Sequence, residues 1–384
     1  MFLYLFIFIL VAIFYFSTLK NEKYSPVILA IIMMGLGVFV GLGDMLGGYD
    51  RYIYGQLFDI VADDLRNDRN VFVSPVFLMY YSEPGYGILN IIIGFFTRNR
   101  YIFIFIFTVI LYLLLLISFL KYTNRSPFVV LLLMGLWFCF TFTYLRQAMS
   151  VAIAWLAIQY AIERKPWKFF LIIALAYSFH NGAIILAPIY FLPSQKISWT
   201  TVVLILIVSF MLGFTPLSEM MFGSFTEATE TEDRLRALSG IQEEGYRFEY
   251  LLEAFVFTGL IFAKYDTIDD NNKGQVFMLN LALCFCITLL FFIRSSNGGR
   301  LSWYFMIGLF ATLNHQSTVK RKSTFTSIAL VIMMLFLYIR IINLWGILIN
   351  PYKSFLSNGH RQGDVYYEKL EYDRKYDEDK FYKW

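Results

Sequence analysis

Apolar runs separated by short polar turns fill most of the chain. A helix that crosses the hydrocarbon needs about 20 apolar residues. On that ruler the runs fall near 2–19, 25–42, 101–120, 127–144, 147–163, 166–180, 182–195, 199–214, 248–263, 275–293, 301–316 and 323–349. The pattern predicts an all-α polytopic integral membrane protein with about 12 transmembrane helices. The first run, Met1 to Leu19, lacks the basic start and small-residue cleavage site of a signal peptide and reads as a first span. Gly85 to Thr97 is apolar but short, and reads as a re-entrant or interfacial helix. Residues 1–350 then form a single transmembrane domain carrying two long polar loops, 43–100 and 215–247, and residues 351–384 form a polar, charged tail.

Composition narrows the function classes. The chain is 58% hydrophobic and 16% charged, far from the balance of a soluble domain. Its three cysteines, at 139, 284 and 286, all sit inside apolar runs, so neither a disulfide framework nor a zinc pair is implied, and no metal site is expected. There is no Gly-rich phosphate loop and no basic block interleaved with aromatics, which argues against nucleotide cofactors and nucleic-acid partners. No cofactor is expected.

Short cytoplasmic loops carry the excess of Lys and Arg. With Lys20 and Lys23 set inside, the segments Lys121 to Arg125, Arg164 to Lys168 and Lys320 to Lys322 also fall inside, and the two long loops fall outside. The cations then separate by type: the inner loops hold ten Lys and three Arg, the outer segments eleven Arg and no Lys. A guanidinium offers a planar fork to two oxyanions, whereas an ammonium is a hydrated point charge. The outer face is therefore expected to hold an anion. The alternative is that these Arg only pair with the acidic loop residues.

A few positions stand apart. Arg146 lies between two apolar stretches, where a charge is tolerated toward a polar cavity or partner unless it snorkels to the interface. Arg294 and Arg300 flank Ser295-Ser296-Asn297-Gly298-Gly299, a turn whose backbone can approach an anion, and Tyr304 follows Arg300 by one turn. His180 precedes Asn181-Gly182 between two apolar runs; it is either a hydrogen-bonded core residue or a titrating group in a cavity, and a helix broken at that depth favours the cavity. Glu83 stands before Pro84 and the short helix, and Asp50 with Arg51 follows the second span. Tyr49, Tyr52, Tyr54, Tyr80, Tyr81 and Tyr86 cluster in the first long loop, where ring faces can pack on a pyranose.

Taken in order, these residues resemble the EpsG/Wzy-like polymerases of bacterial capsule, exopolysaccharide and O-antigen. The resemblance rests on Gly48-Tyr49-Asp50-Arg51-Tyr52, Glu83-Pro84-Gly85-Tyr86 with Leu89-Asn90, Leu145-Arg146-Gln147, Phe179-His180-Asn181-Gly182, Gly299-Arg300 with Tyr304, and Pro351-Tyr352. It implies a GT-C-like membrane glycosyltransferase of the bacterial inner membrane, its active site facing the periplasm or exterior. The implied partners are an undecaprenyl-diphosphate-linked glycan donor, a lipid-linked acceptor repeat unit, the bilayer and a chain-length regulator protein. On this footing Arg146 and Arg300, supported by Arg294, are expected to bind the diphosphate. His180 is the favoured base, with Glu83 and Asp50 as competitors. Tyr49, Arg51, Tyr52, Tyr86, Gln147 and Tyr304 are expected to line the glycan groove. A ligase that moves finished glycan to another acceptor would share nearly every feature. A flippase should instead carry charges through several helices and an internal repeat, and neither is visible. An intramembrane hydrolase would need a nucleophile element of the Gly-x-Ser-x-Gly type, which is absent.

Overall fold

The computed structural model describes residues 1–18, 25–45, 50–124, 126–193, 195–229, 245–319, 324–350, 352–354 and 356. Among these residues the chain is all-α, with one isolated bridge between Gly43 and Ser354. In chain order the helices are α1 (Phe2–Ser17), α2 (Pro26–Gly41), α3 (Arg51–Arg66), α4 (Pro75–Met79), α5 (Pro84–Gly94), α6 (Arg100–Tyr122), α7 (Ser126–Leu136), α8 (Leu145–Ile162), α9 (Pro166–Tyr177) and α10 (Trp199–Gly213). They continue with α11 (Leu217–Thr229), α12 (Phe248–Phe262), α13 (Lys273–Phe291), α14 (Ser296–Gly299), α15 (Met306–Val319), α16 (Thr324–Leu344) and α17 (Gly346–Ile349). Four of them, α6, α8, α13 and α16, are long and apolar enough to cross a bilayer unaided.

The chain divides into two compact units. The first comprises 1–120, 125–149 and 322–384, and the second comprises 121–124 and 150–321. In the first, α7 is apolar on every side and buried along its whole length, with α1, α2 and α16 packed around it. A helix without a polar face packs against other helices or against lipid; α7 is of the first kind, whereas α1, equally apolar, leaves Phe2, Phe6, Ile9 and Ile13 exposed. In the second unit α13 holds that place, enclosed by α10, α12 and α15.

Several expected spans take another form. Residues 182–195 do not make an α-helix but a 3₁₀ run, Asn181–Phe191, with Pro188 inside it. Proline supplies no N–H and its ring clashes with the carbonyl four residues back, so an α-helix cannot run through. The run expected at 127–144 is α7 followed by a 3₁₀ segment, Phe138–Phe142, and that at 301–316 begins as 3₁₀ over Arg300–Phe305 before α15. Within 43–100, α3, α4 and α5 form helices joined by short turns. Tyr54, Leu57, Phe58, Val61 and Ala62 put an apolar stripe on one side of α3, and that stripe packs on α5. At 11 residues, α5 is about 16 Å long and too short to cross. Residues 352–354, expected in the tail, dock back on the first unit: the Asp44 N–H donates to the Lys353 carbonyl at 3.0 Å and the Tyr352 hydroxyl to that of Phe39 at 2.8 Å. The remainder of the tail from 357 lies outside the described residues.

Candidate functional site

In the first unit the turn before α5 and the first turn of α8 bring Glu83 and Arg146 together. Glu83 is 1% exposed and Arg146 4%. Arg146 Nη1 donates to Glu83 Oε2 in an ion pair. The guanidinium carbon lies 3.6 Å from the centre of the Tyr80 ring, with the rings of Tyr54 and Tyr86 at 5.7 and 5.8 Å. Tyr86 meets both other tyrosines edge to face, 5.7 Å from Tyr54 and 5.6 Å from Tyr80. Arg146 therefore sits in an aromatic box that attracts the cation by the ring quadrupoles and keeps water away from it.

The local sequence explains why these groups converge. Pro84 opens α5 at its first position, where a missing N–H costs nothing. That start holds Glu83 just outside the helix, its backbone N–H bonded to the Tyr80 carbonyl at 2.8 Å. Tyr54 comes from α3, one turn after Asp50, and its hydroxyl donates to Asp50 Oδ2 at 3.4 Å. Asp50, Glu83, Tyr86 and Arg146 are thus drawn to one place. Tyr54 and Tyr80, expected only as members of the tyrosine cluster, prove to be walls of the box. Gln147, beside Arg146 on α8, is buried; Tyr52 is half-buried and accepts from Gln56 Nε2 at 3.2 Å. Tyr49 lies outside the described residues.

Arg51 has a different environment from the one its neighbourhood in the sequence suggests. It is 0% exposed, and its fork donates to the carbonyls of Val40 at 2.9 Å, Gly41 at 3.0 Å and Gly43 at 2.7 Å. Val40 and Gly41 close α2 and Gly43 follows it; a helix leaves its last carbonyls without intrahelical partners, although Val40 also accepts the Gly43 N–H at 3.2 Å.

In the second unit His180 caps the 3₁₀ run. Its Nδ1 accepts the Gly182 N–H at 3.0 Å, so the neutral ring carries its proton on Nε2. A Cβ on Gly182 would meet that Nδ1 at 3.0 Å, which is why the position after Asn181 favours glycine. Tyr304 is fully buried; its hydroxyl lies 3.0 Å from Ser150 Oγ and its carbonyl accepts from Trp155 Nε1 at 3.1 Å. Ser150 Oγ also donates to the Ala176 carbonyl at 2.8 Å, and lies 3.3 Å from that of His180. Sequence reasoning passed over Ser150, whose only signal was a hydroxyl in an otherwise apolar run. Ser295 caps α14 by accepting the Gly298 N–H at 2.9 Å. Before that turn Arg294 pairs with Glu219 at 3.0 Å, and after it Arg300, half-buried, interacts electrostatically with Tyr250.

Chemically, the first unit offers a buried carboxylate beside a forked cation and three phenols, and the second offers an imidazole N–H donor and two further guanidinium groups. Within the first unit the carboxylate can take up a proton and the guanidinium can hold an oxyanion; within the second the guanidinium groups can hold oxyanions as well. No curated protein and no solved structure matches the chain. A family model does match over residues 48–354, a stretch that includes Glu83, Arg146, His180 and Arg300, and on that match the chain belongs to the EpsG family.

Proposed function

We propose that the protein polymerises undecaprenyl-diphosphate-linked oligosaccharide repeat units into a surface polysaccharide, at the outer face of the bacterial inner membrane. Family membership supports a polysaccharide polymerase-type role in a membrane. The observation that carries the chemistry is the buried Glu83–Arg146 pair resting on Tyr80. In the reaction the acceptor hydroxyl oxygen bonds to the anomeric carbon of the donor glycan, and the carbon–oxygen bond to the diphosphate breaks, its electron pair leaving with undecaprenyl diphosphate. The barrier falls when the acceptor proton is taken up and the charge growing on the diphosphate is met by fixed donors.

Glu83 suits the proton-accepting role better than His180. The only ring nitrogen of His180 with a lone pair in the neutral state already holds the Gly182 N–H, so the residue is disposed to donate from Nε2. In the first unit Arg146 is the guanidinium donor for diphosphate oxygens, and Asp50 acts through Tyr54 to position the aromatic box. In the second unit Arg300 is the candidate for the same role, with Arg294, engaged by Glu219, only as support. Gln147, Tyr86 and Tyr304 remain candidates for contact with the glycan.

The test is mass analysis of the product that purified protein makes from a defined lipid-linked repeat unit. The expected result is a ladder spaced by one repeat with release of undecaprenyl diphosphate. A single transfer to a foreign acceptor would make the protein a ligase, and movement of intact substrate without a ladder would make it a transporter. The sidedness is checked separately: in a cysteine-free background, a cysteine at Asp64 should react with an impermeant maleimide in intact cells and one at Lys165 should not.

A further inference from the structure

The second unit contains a cavity that the polymerase chemistry does not use. Its volume is about 430 Å³, and its walls include Lys121, Tyr122, Asn124, Gln275, Thr312 and His315. These residues come from the end of α6, the start of α13 and the end of α15. Arg294 and Arg300 follow the other end of α13. With 19 residues at ~1.5 Å each, α13 separates the two by about 28 Å, close to the thickness of the hydrocarbon core. The cavity and the Arg294–Arg300 turn therefore belong to opposite membrane faces, and the lysine-rich loops assign the cavity to the inner one.

The wall chemistry selects a ligand class. Among the described residues none that lines the cavity carries a carboxylate, whereas Lys121 and His315 supply a cation and an imidazole. The nearby Glu163, which also interacts electrostatically with Lys121, is itself paired with Lys165 at 2.7 Å. Amides and hydroxyls complete the lining: Asn314 Nδ2 donates to Asn124 Oδ1 at 2.7 Å, and the phenol of Tyr122 stands beside them. Thr312 is 2% exposed, and its hydroxyl is buried without a hydrogen-bond partner among the described residues. A polar group left in that state is costly, and a ligand oxygen at this wall would relieve it. A volume near the lower end of ligand pockets is larger than a lone phosphate requires and fits one that carries a short polyol.

We propose that this cavity binds a phosphorylated polyol, with the phosphate at Lys121 and the hydroxyls on Thr312 and the amides. The same chemistry is found in the headgroup of an anionic phospholipid and in a free polyol phosphate. The site stands independently of the polymerase chemistry.

Full-length protein in detergent is titrated calorimetrically with sn-glycerol 3-phosphate. In parallel it is reconstituted in phosphatidylcholine nanodiscs with or without phosphatidylglycerol, and retained lipid is read by native mass spectrometry. Saturable binding is expected in one arm, weakened about tenfold or more by Lys121→Gln and by Thr312→Val, the size of one lost charge-assisted or buried hydrogen bond. Arg69→Gln, which removes an exposed cation of the first unit, should change nothing. Binding of the free phosphate assigns a solute, and retention of phosphatidylglycerol alone assigns a lipid headgroup. Lys121 is exposed, so Lys121→Gln decides the matter even if Thr312→Val fails to fold. No saturable binding in either arm, or binding that Lys121→Gln leaves unchanged, overturns the proposal.

Discussion

Arg51 and Arg146 belong to the same unit and are both sealed from water, yet they are held in opposite ways. Arg51 directs its fork at three backbone carbonyls closing α2, groups that are neutral and fixed in place by the helix. Arg146 meets a carboxylate and the flat face of a tyrosine; among the described residues the Nε hydrogen of each arginine has no partner, so the difference lies in the forks. The first arrangement is a strut, because the cation ties the end of α2 together: Val40 also accepts the Gly43 N–H, but the Gly41 and Gly43 carbonyls depend on the guanidinium. The second fork meets a negative oxygen, and its shape and charge would suit another oxyanion equally. Burial of a cation does not by itself mark a site. What the cation meets decides whether a ligand can replace it.

The contrast breaks first at Glu83. Glu83→Gln keeps the shape and removes the charge, and turnover should fall by about 10²–10⁴-fold if the carboxylate takes the acceptor proton. Turnover per folded molecule near that of the parent would return the base role to His180 or Asp50. At Arg146, substitution by Lys keeps the charge beside Glu83 and loses the fork, so the loss should be about 10²–10³-fold, the scale of one missing oxyanion donor. Polymer of ordinary length from Arg146→Lys would leave the aromatic box without a catalytic purpose.

Arg51→Lys should show the reverse signature. A compact ammonium cannot reach three carbonyls at once, and each acceptor left unmet costs ~1–3 kcal/mol. The thermal midpoint in detergent should therefore drop while turnover per folded molecule holds. A variant that melts like the parent but makes no polymer would show that Arg51 touches substrate.

How much of this was legible in the sequence differs between fold and site. Hydropathy alone located α6, α10, α12 and α13 within a few residues, because a long uninterrupted apolar run has no other low-energy form in a bilayer. It failed at 182–195, where Pro188 overrules the apolar pattern, and at α3, where Asp59, Asp63 and Asp64 disguise a helix as a loop although Tyr54, Leu57, Phe58, Val61 and Ala62 keep its period. Glu83 and Arg146 could each be singled out as charges near apolar segments. Their pairing could not, since they are 63 positions apart and no local pattern states which distant turns will meet. Arg51 shows the same limit from another side: its hydrogen-bond partners are main-chain carbonyls, which every residue possesses and no sequence motif announces.

The smallest expected effect is at Arg294, and it tests whether burial or mere pairing separates the residues above. Arg294 also faces a carboxylate, Glu219, at 3.0 Å, but the two side chains are 32% and 42% exposed. Water already solvates both ions, so the pair contributes ~0–1 kcal/mol, and a lysine can replace the arginine with little loss. Arg294→Lys is therefore expected to give polymer of parental length and a nearly parental melting temperature. Any small difference in melting temperature should shrink as salt rises, because at 0.1 M the screening length is already about 10 Å. If Arg294→Lys instead abolishes polymer while the protein melts normally, the guanidinium fork is needed even at an exposed position. Charge pairing in water would then be no mark of a bystander, and Arg294 would join Arg146 among the diphosphate contacts.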